Sequence, residues 1–116
     1  MKKISGGKYH PLRKKKLYEK HNPPRMTSLG QEKKKDLKMK GGKTKRITLS
    51  ADKAFVLDRK TMKGKLVGIK SVLQIPSNRY LKNILVKGAI IDTEMGKAKI
   101  TNRPGQEGNI FAVLVQ

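Results

Sequence analysis

The sequence contains no cysteine and no tryptophan, and only five of its 116 residues are aromatic. Without cysteine, the chain can form neither a disulfide nor a thiolate metal site. So few rings argue against a platform on which several bases stack in a row. No apolar run approaches the roughly 20 residues of a membrane-spanning helix, and no basic amphipathic helix is evident. These absences disfavour a disulfide scaffold and a membrane protein.

Acidic residues are also scarce. The chain has 29 lysines and arginines against 8 aspartates and glutamates, a formal net charge of +21. Self-repulsion on this scale destabilises a compact state unless a polyanion accompanies it. Nucleic acid is the favoured partner, because neutralising phosphates releases counterions and provides affinity that needs no particular sequence. An anionic membrane surface is the competitor. Because lysines and glycines follow Met1 in place of an apolar stretch, no cleavable signal peptide is expected.

The positive charge is concentrated in the first half of the chain. Residues 1–50 carry 17 basic and 3 acidic residues, whereas Val, Ile and Leu are concentrated after Lys45. The stretch GGKYHPLRKKKLYEKHNPPR, residues 6–25, combines seven cations with three prolines and has no periodic apolar pattern. Such a segment is swollen and mobile when free. We therefore predict an extended basic arm over residues 1–34 and a compact domain over residues 35–116.

The compact part is predicted to be mainly β, a small β-barrel-like domain of six or so short strands joined by glycine-rich turns. The final apolar segment, IFAVLV, is typical of a strand inside a closed or two-layered sheet. Residues 30–36, GQEKKKD, allow a helical turn.

Two hairpins have a predicted register. In DLKMKGGKTKRITL, a three-residue loop over 41–43 would pair Leu37 with Ile47 and leave a basic opposite face. In KGAIIDTEMGKAKIT, a turn at residues 95–96 would pair Ile91 with Ile100, Asp92 with Lys99 and Glu94 with Lys97. Both registers place apolar side chains on a single face.

Catalytic patterns are missing from the sequence. His10 and His21 lie in the arm with no carboxylate pattern to orient them, so a backbone or phosphate contact is favoured over a metal site. Asp92 and Glu94 share a strand face, but the predicted register gives each a lysine partner. The sequence has no G-x-x-x-x-G-K-S/T phosphate loop and no nucleophile elbow. We predict no enzymatic activity, no metal and no cofactor.

The predicted nucleic-acid contacts are basic and polar residues of the arm, the first hairpin and two loops. For any single loop, a solvated turn is the competing interpretation, but the net charge favours phosphate contacts for the basic members. The arm, the first hairpin and two polar loops contribute Lys8, Tyr9, His10, Arg13, Lys14, Lys15, Lys16, Lys20, Arg25, Lys38, Lys40, Lys43, Arg46, Asn78, Arg79, Tyr80, Lys82, Lys87 and Arg103.

These segments also carry a family resemblance. GGKYHPLRKKKLYE, MKGGKTKRITLSAD and IPSNRYLKNILVKGAIIDTEMGKAKITNRPGQEGNIFAVLV occur in this order over nearly the whole chain. The chain resembles the small-subunit ribosomal protein eight of the archaeal and eukaryotic (e) type. Its short link between Ala54 and Pro76 lacks the long insertion of eukaryotic members and so resembles the archaeal form. Archaeal members usually begin with a further basic segment resembling Trp-Gln-Gly-Arg-Ser, which is absent before Gly6 here.

The resemblance implies a structural constituent of the small ribosomal subunit in the cytoplasm. It implies a β-barrel-like core docked on ribosomal RNA, an arm that follows RNA into the particle, and neighbouring ribosomal proteins as partners. It implies that the protein has no membrane partner, no small-molecule substrate and no cofactor. Two other classes stay open on the residues alone, a chromatin-type DNA-binding protein and an enzyme acting on RNA.

Overall fold

A computed structural model describes residues 1–76 and 81–115. In this part the chain is mainly β, as predicted, with two short 3-10 turns at Leu17–Glu19 and Lys40–Gly42. The strands are Thr27–Leu29 (β1), Lys33–Lys38 (β2), Thr44–Ala51 (β3), Lys53–Asp58 (β4), Lys63–Gln74 (β5), Ile84–Leu85 (β6), Ile90–Thr93 (β7), Gly96–Ile100 (β8) and Phe111–Leu114 (β9). No helix in the described ranges has the length and apolar character needed to cross a membrane.

Five strands close into a barrel in the order β4-β5-β7-β8-β9. Closure is made by parallel pairing of β4 with β9, with Phe55 opposite Phe111 and Leu57 opposite Val113. The long strand β5 pairs first with β4 and then with β7, and two register shifts accompany the second pairing. Such irregularities bend a strand, which lets one strand serve two neighbours around a small barrel. The predicted barrel is therefore confirmed, with five strands in place of about six and a second sheet beside it.

The barrel interior is small and apolar. Val56 and Ile91 are fully buried, and Ile100 is exposed by 1%. Ala54, Ala89 and Ala98 are also fully buried. These residues pack as one cluster. Alanines at inward positions suit a five-stranded barrel, whose interior has room for few large side chains.

The second sheet has the order β2-β3-β1-β6. Its strand β1 pairs in parallel with β3 and antiparallel with β6. Residues 27–29 and 33–34, which the sequence analysis assigned to the arm, are thus part of this sheet. Residues 33–38 form a strand where the sequence allowed a helical turn, because they pair with β3. As an edge strand, β2 carries four lysines, and lysines on an edge discourage pairing with another chain.

The predicted register of the β2–β3 hairpin is wrong. Leu37 pairs with Lys45, and the loop spans Lys40–Gly42 in place of residues 41–43. Gly41 and Gly42 have φ of +78° and +75°, which is the left-handed region. Gly42 is therefore the last residue of the loop. A loop over residues 41–43 would have put Lys43 into that strained position.

The faces of β3 also differ from the prediction. Ile47 is exposed by 1%, but Leu49, which was predicted on the same face, is 42% exposed. Thr48 on the opposite face is exposed by 1%. Its amide donates to the Pro104 carbonyl oxygen at 3.1 Å, and its hydroxyl donates to the Glu107 carbonyl oxygen at 3.0 Å. The loop over residues 101–110 therefore covers part of the face that was expected to be a basic surface.

The predicted register of the β7–β8 hairpin is also wrong, although its faces are right. Ile91 pairs with Ala98 and Asp92 with Lys97, so the turn lies at residues 94–95. A favoured two-residue turn at residues 95–96 would need positive φ at Met95. The structure instead has a φ of +119° at Gly96, directly after the turn. The shift moves each pair by two residues and keeps Ile91, Ala98 and Ile100 on the inner face.

Residues 1–23 extend away from the two sheets. The radius of gyration is 20.2 Å, whereas a compact chain of this length has about 13 Å. Residues 1–23 contain local structure only, namely a turn that brings Lys2 opposite Lys8 and the 3-10 turn at Leu17–Glu19. The first 18 residues are all exposed.

Truncating an inward isoleucine should destabilise the barrel far more than truncating its outward neighbour. Ile91 is fully buried and Ile90 is partly exposed on the same strand. Ile91→Ala should lower the free energy of unfolding by about 2–5 kcal/mol, because it removes buried apolar surface and leaves a cavity. Ile90→Ala, the matched control, should cost distinctly less. Urea denaturation measures both, and an equal or larger cost for Ile90→Ala would contradict the assignment of the inner face.

Candidate nucleic-acid interface

The predicted arm contacts are all exposed. They are Lys8, Tyr9, His10, Arg13, Lys14, Lys15, Lys16, Lys20 and Arg25. Two rings of the arm hold a lysine nearby, with Lys3 Nζ 5.5 Å from the centre of Tyr9 and Lys16 Nζ 5.9 Å from that of Tyr18. The arm therefore offers a dense row of cations without a folded scaffold beneath it.

Arg13 is already paired with an acid of the arm. Its two terminal nitrogens donate to the Glu19 carboxylate at 3.0 and 2.8 Å. The Lys16 amide donates to the same carboxylate at 3.0 Å, which closes the 3-10 turn. The Arg13 hydrogen bond, followed by that of the Lys16 amide, holds the pKa of Glu19 below its ordinary value. Arg13 is thus fixed in position, with part of its donor capacity in use.

A second group of predicted contacts lies on the β2–β3 hairpin. Lys38, Lys40 and Lys43 are exposed around its tip. Arg46 lies further along β3, opposite Asp36 in register. Its Nε and Nη2 atoms donate to the two Asp36 carboxylate oxygens at 2.8 and 3.2 Å. The tip lysines are free of such a pairing in the described part of the chain, whereas Arg46 is engaged.

The β8–β9 loop, residues 101–110, is the element that organises a third group. Asn102 fixes the loop: its amide nitrogen donates to the Asn109 carbonyl oxygen at 2.6 Å, and its oxygen accepts from the Phe111 amide at 3.0 Å. The amides of residues 106 and 107 donate to the Arg103 carbonyl oxygen. Pro104 is buried. The predicted long hairpin loop is confirmed, and it is a fixed structure that presents Arg103 at a defined place.

Arg25, Lys87 and Arg103 meet in one cleft of about 380 Å³. Its apolar lining is Pro24, Pro76, Leu85, Val86 and Pro104. The root of the arm reaches this cleft because Arg25 passes directly against the loop: a Cβ on Gly105 would lie 2.9 Å from the Arg25 carbonyl oxygen. Three cations from separate parts of the chain thus surround an apolar floor. We call this site the arm-root cleft.

Four predicted contacts are left. Lys82 is exposed in the connection before β6. Asn78, Arg79 and Tyr80 lie outside the described residues. Four exposed cations around the tip of the β4–β5 hairpin were not among the predicted contacts, and charge was the one signal available for them. They are Arg59, Lys60, Lys63 and Lys65.

Three acidic side chains of the described ranges are paired with cations. Those ranges contain three ion pairs, Arg13–Glu19, Lys34–Glu32 and Arg46–Asp36. They contain no group of three or more histidine and acidic side chains that could hold a metal ion. Exposed lysine and arginine side chains outnumber carboxylates on the described surface, so this surface attracts anions.

The chain is thus a small, strongly basic β-barrel protein, and comparison with known proteins gives its family. The family model described as Ribosomal protein S8e matches residues 1–115. A protein of Methanocorpusculum labreanum named small ribosomal subunit protein eS8 is 43% identical over 118 residues, covering 100% of this chain and 94% of that protein. The protein of the same name from Sulfolobus acidocaldarius is 42% identical over 121 residues, covering 99% and 92%.

A third relative with this name, from Nanoarchaeum equitans, is 44% identical over 115 residues, covering 95% of this chain and 89% of that protein. The chain therefore belongs to the Ribosomal protein S8e family. The resemblance stated from the sequence, including its archaeal type, is confirmed.

The Asp36–Arg46 pair should be visible in a titration. The hydrogen bond from Arg46 lowers the pKa of Asp36 from its ordinary value. Because the folded-state pKa is lowered, the contribution of the pair to stability is present above the unfolded-state pKa and is lost as pH falls through the folded-state pKa. An NMR titration of the Asp36 carboxyl carbon should give a lowered midpoint that rises in Arg46→Gln and not in Arg59→Gln. A midpoint unaffected by Arg46→Gln would contradict the pairing.

Proposed function

We propose that this chain is a structural constituent of the small ribosomal subunit that binds ribosomal RNA through its arm and its basic clusters. Family membership supports the ribosomal role, since the relatives are named as small-subunit proteins. In this role the protein works in the cytoplasm within the subunit, without catalysis. Its partners are the small-subunit RNA and neighbouring ribosomal proteins.

The observation that carries the RNA-binding proposal is the arm-root cleft. Arg25, Lys87 and Arg103 converge there although they lie in different segments of the chain. Arginine can hold a phosphate with two parallel hydrogen bonds, and lysine adds a point charge. Successive phosphates of the RNA backbone, one at each of these three cations, would fix the direction in which the arm leaves the domain.

The arm and the domain have different tasks in this proposal. The compact domain, which we take to begin near Thr27, sets position through the cleft and the tip of the β2–β3 hairpin. The arm extends the reach of the protein, because an extended residue spans about 3.3 Å and some 20 residues can cover up to about 65 Å. Its basic and polar residues between Lys8 and Lys20 would lie along successive phosphates. The arm thus contacts RNA segments that a domain of this size could not touch.

Neutralising the arm-root cleft should weaken RNA binding more than removing the same charge elsewhere. The variant Arg25→Gln, Lys87→Gln, Arg103→Gln loses three positive charges. The control variant Arg59→Gln, Lys60→Gln, Lys63→Gln loses the same number from the exposed β4–β5 hairpin. Titration against a small-subunit ribosomal RNA fragment at several salt concentrations gives the slope of log affinity against log salt. Each lost phosphate contact should lower that slope by about 0.7–0.9, so the cleft variant should lose about 2 to 3 and the control much less.

Two controls make the outcome specific. Both variants should melt near the temperature of the unaltered protein, because the altered side chains are exposed. A duplex DNA of equal length should bind more weakly than the RNA fragment, since a chromatin-type protein would show the reverse preference. If the salt slope fell equally in the two variants, binding would depend on the overall charge of the protein. The cleft would then have no special role.

A further inference from the structure

The two phenylalanines of the chain lie side by side on the outside of the barrel. Phe55 on β4 and Phe111 on β9 are paired in register, with ring centres 6.1 Å apart and ring planes at 74°. Each is exposed by about two fifths, 40% and 41%. Leu66 on β5 pairs with Phe55 from the other side and is 60% exposed. We call these three side chains the apolar row.

A cleft of about 370 Å³ borders the apolar row. Besides the row, its lining includes Lys34, Lys53 and Asn109. The Lys34 ammonium lies 2.5 Å from the Glu32 carboxylate at the rim. The hydrogen bond from Lys34 is the main cause of a lowered Glu32 pKa, and the charge of Lys53 adds to it. Lys34 thus pairs with Glu32 at the rim and Lys53 lines the same cleft, so two lysines and one carboxylate lie beside the exposed rings.

The ring of Phe55 is held in place by the strand beneath it. A Cβ on Gly64 would come within 2.3 Å of the Phe55 Cζ atom, so the ring occupies the space that a side chain would fill. The edge-to-face contact with Phe111 restrains it further. The row is therefore a formed surface that needs little rearrangement to receive a ligand.

The size of the row fits a single base better than a protein neighbour. A phenylalanine that is two fifths exposed offers roughly 60–100 Å² of ring surface, whereas a stable protein interface needs about 800 Å² on each partner. Unpaired RNA bases are held by stacking on aromatic rings, with cations nearby for the backbone. Exposed rings, a cleft of small-ligand size and adjacent lysines together provide these parts.

We propose that this cleft holds one unpaired RNA base against the phenylalanine pair, with an adjacent phosphate at Lys34 and Lys53. The proposal rests on the proposed function in that its ligand is RNA, but it assigns a separate site with a different chemistry. Stacking is not a charge contact, so it contributes affinity without contributing to the salt dependence.

The test uses the full chain and a single-stranded RNA oligonucleotide that carries one 2-aminopurine. Stacking of this base on a ring should quench its fluorescence on binding. Phe111→Leu should keep the apolar volume but abolish the quenching and lower the affinity by about 5- to 150-fold, the range for one stacked base. The salt slope should stay unchanged. Phe111→Tyr, the matched control, keeps a ring and should retain both quenching and affinity.

A second variant leaves the rings and the core untouched. Glu32→Gln removes the carboxylate that pairs with Lys34, so it should raise the affinity for the oligonucleotide. Phe111→Leu with full affinity and full quenching would overturn the base site while RNA binding by the arm-root cleft stood. If Phe111→Leu still bound RNA but no longer associated with neighbouring ribosomal proteins, the apolar row would be a protein contact instead. Failure of the unaltered protein to bind RNA at all would overturn both proposals.

Discussion

Parallel pairing of β4 with β9 is the contact on which the rest of the structure depends. It joins the first barrel strand to the last, and it removes the open edges that a five-stranded sheet would otherwise expose. Closure buries Val56 and Ala112 beside each other, and it brings Phe55 and Phe111 together on the outside. It also fixes the β9 end of the β8–β9 loop. The candidate sites on either side of that loop therefore follow from one strand pairing.

The net charge of +21 restricts where the charged side chains can lie. The barrel interior contains no charged side chain in the described part of the chain, so the repulsion is carried entirely by the surface, the edge strand β2 and the arm. Ion pairs relieve little of it, since exposed pairs contribute about 0–1 kcal/mol each. The folded state is therefore sustained by a small apolar core, and the excess charge is left for an anionic partner to neutralise.

Local patterns in the sequence were sufficient for the class of fold and for the inner face of β7 and β8. The alternation of apolar and polar residues assigns Ile91, Ala98 and Ile100 to one face. A register shift of two residues leaves that face unchanged. Register itself was not predictable, because it depends on which residue takes a positive φ, as at Gly42 and Gly96. The arm-root cleft and the phenylalanine pair could not be predicted either. Both depend on contacts between residues far apart in the sequence, for which a single sequence gives no signal.

The central claim is that a self-sufficient barrel carries an arm whose order depends on RNA. Hydrogen exchange of the full chain, free and bound to a small-subunit ribosomal RNA fragment, tests it most directly, since exchange reports local opening residue by residue. The account predicts that amides of the barrel strands are protected in both states. Amides of residues 8–25, other than those of the turn at Leu17–Glu19, should become protected on binding RNA. Equal protection of the arm in the free and bound protein, or a barrel protected in the bound state alone, would contradict the account.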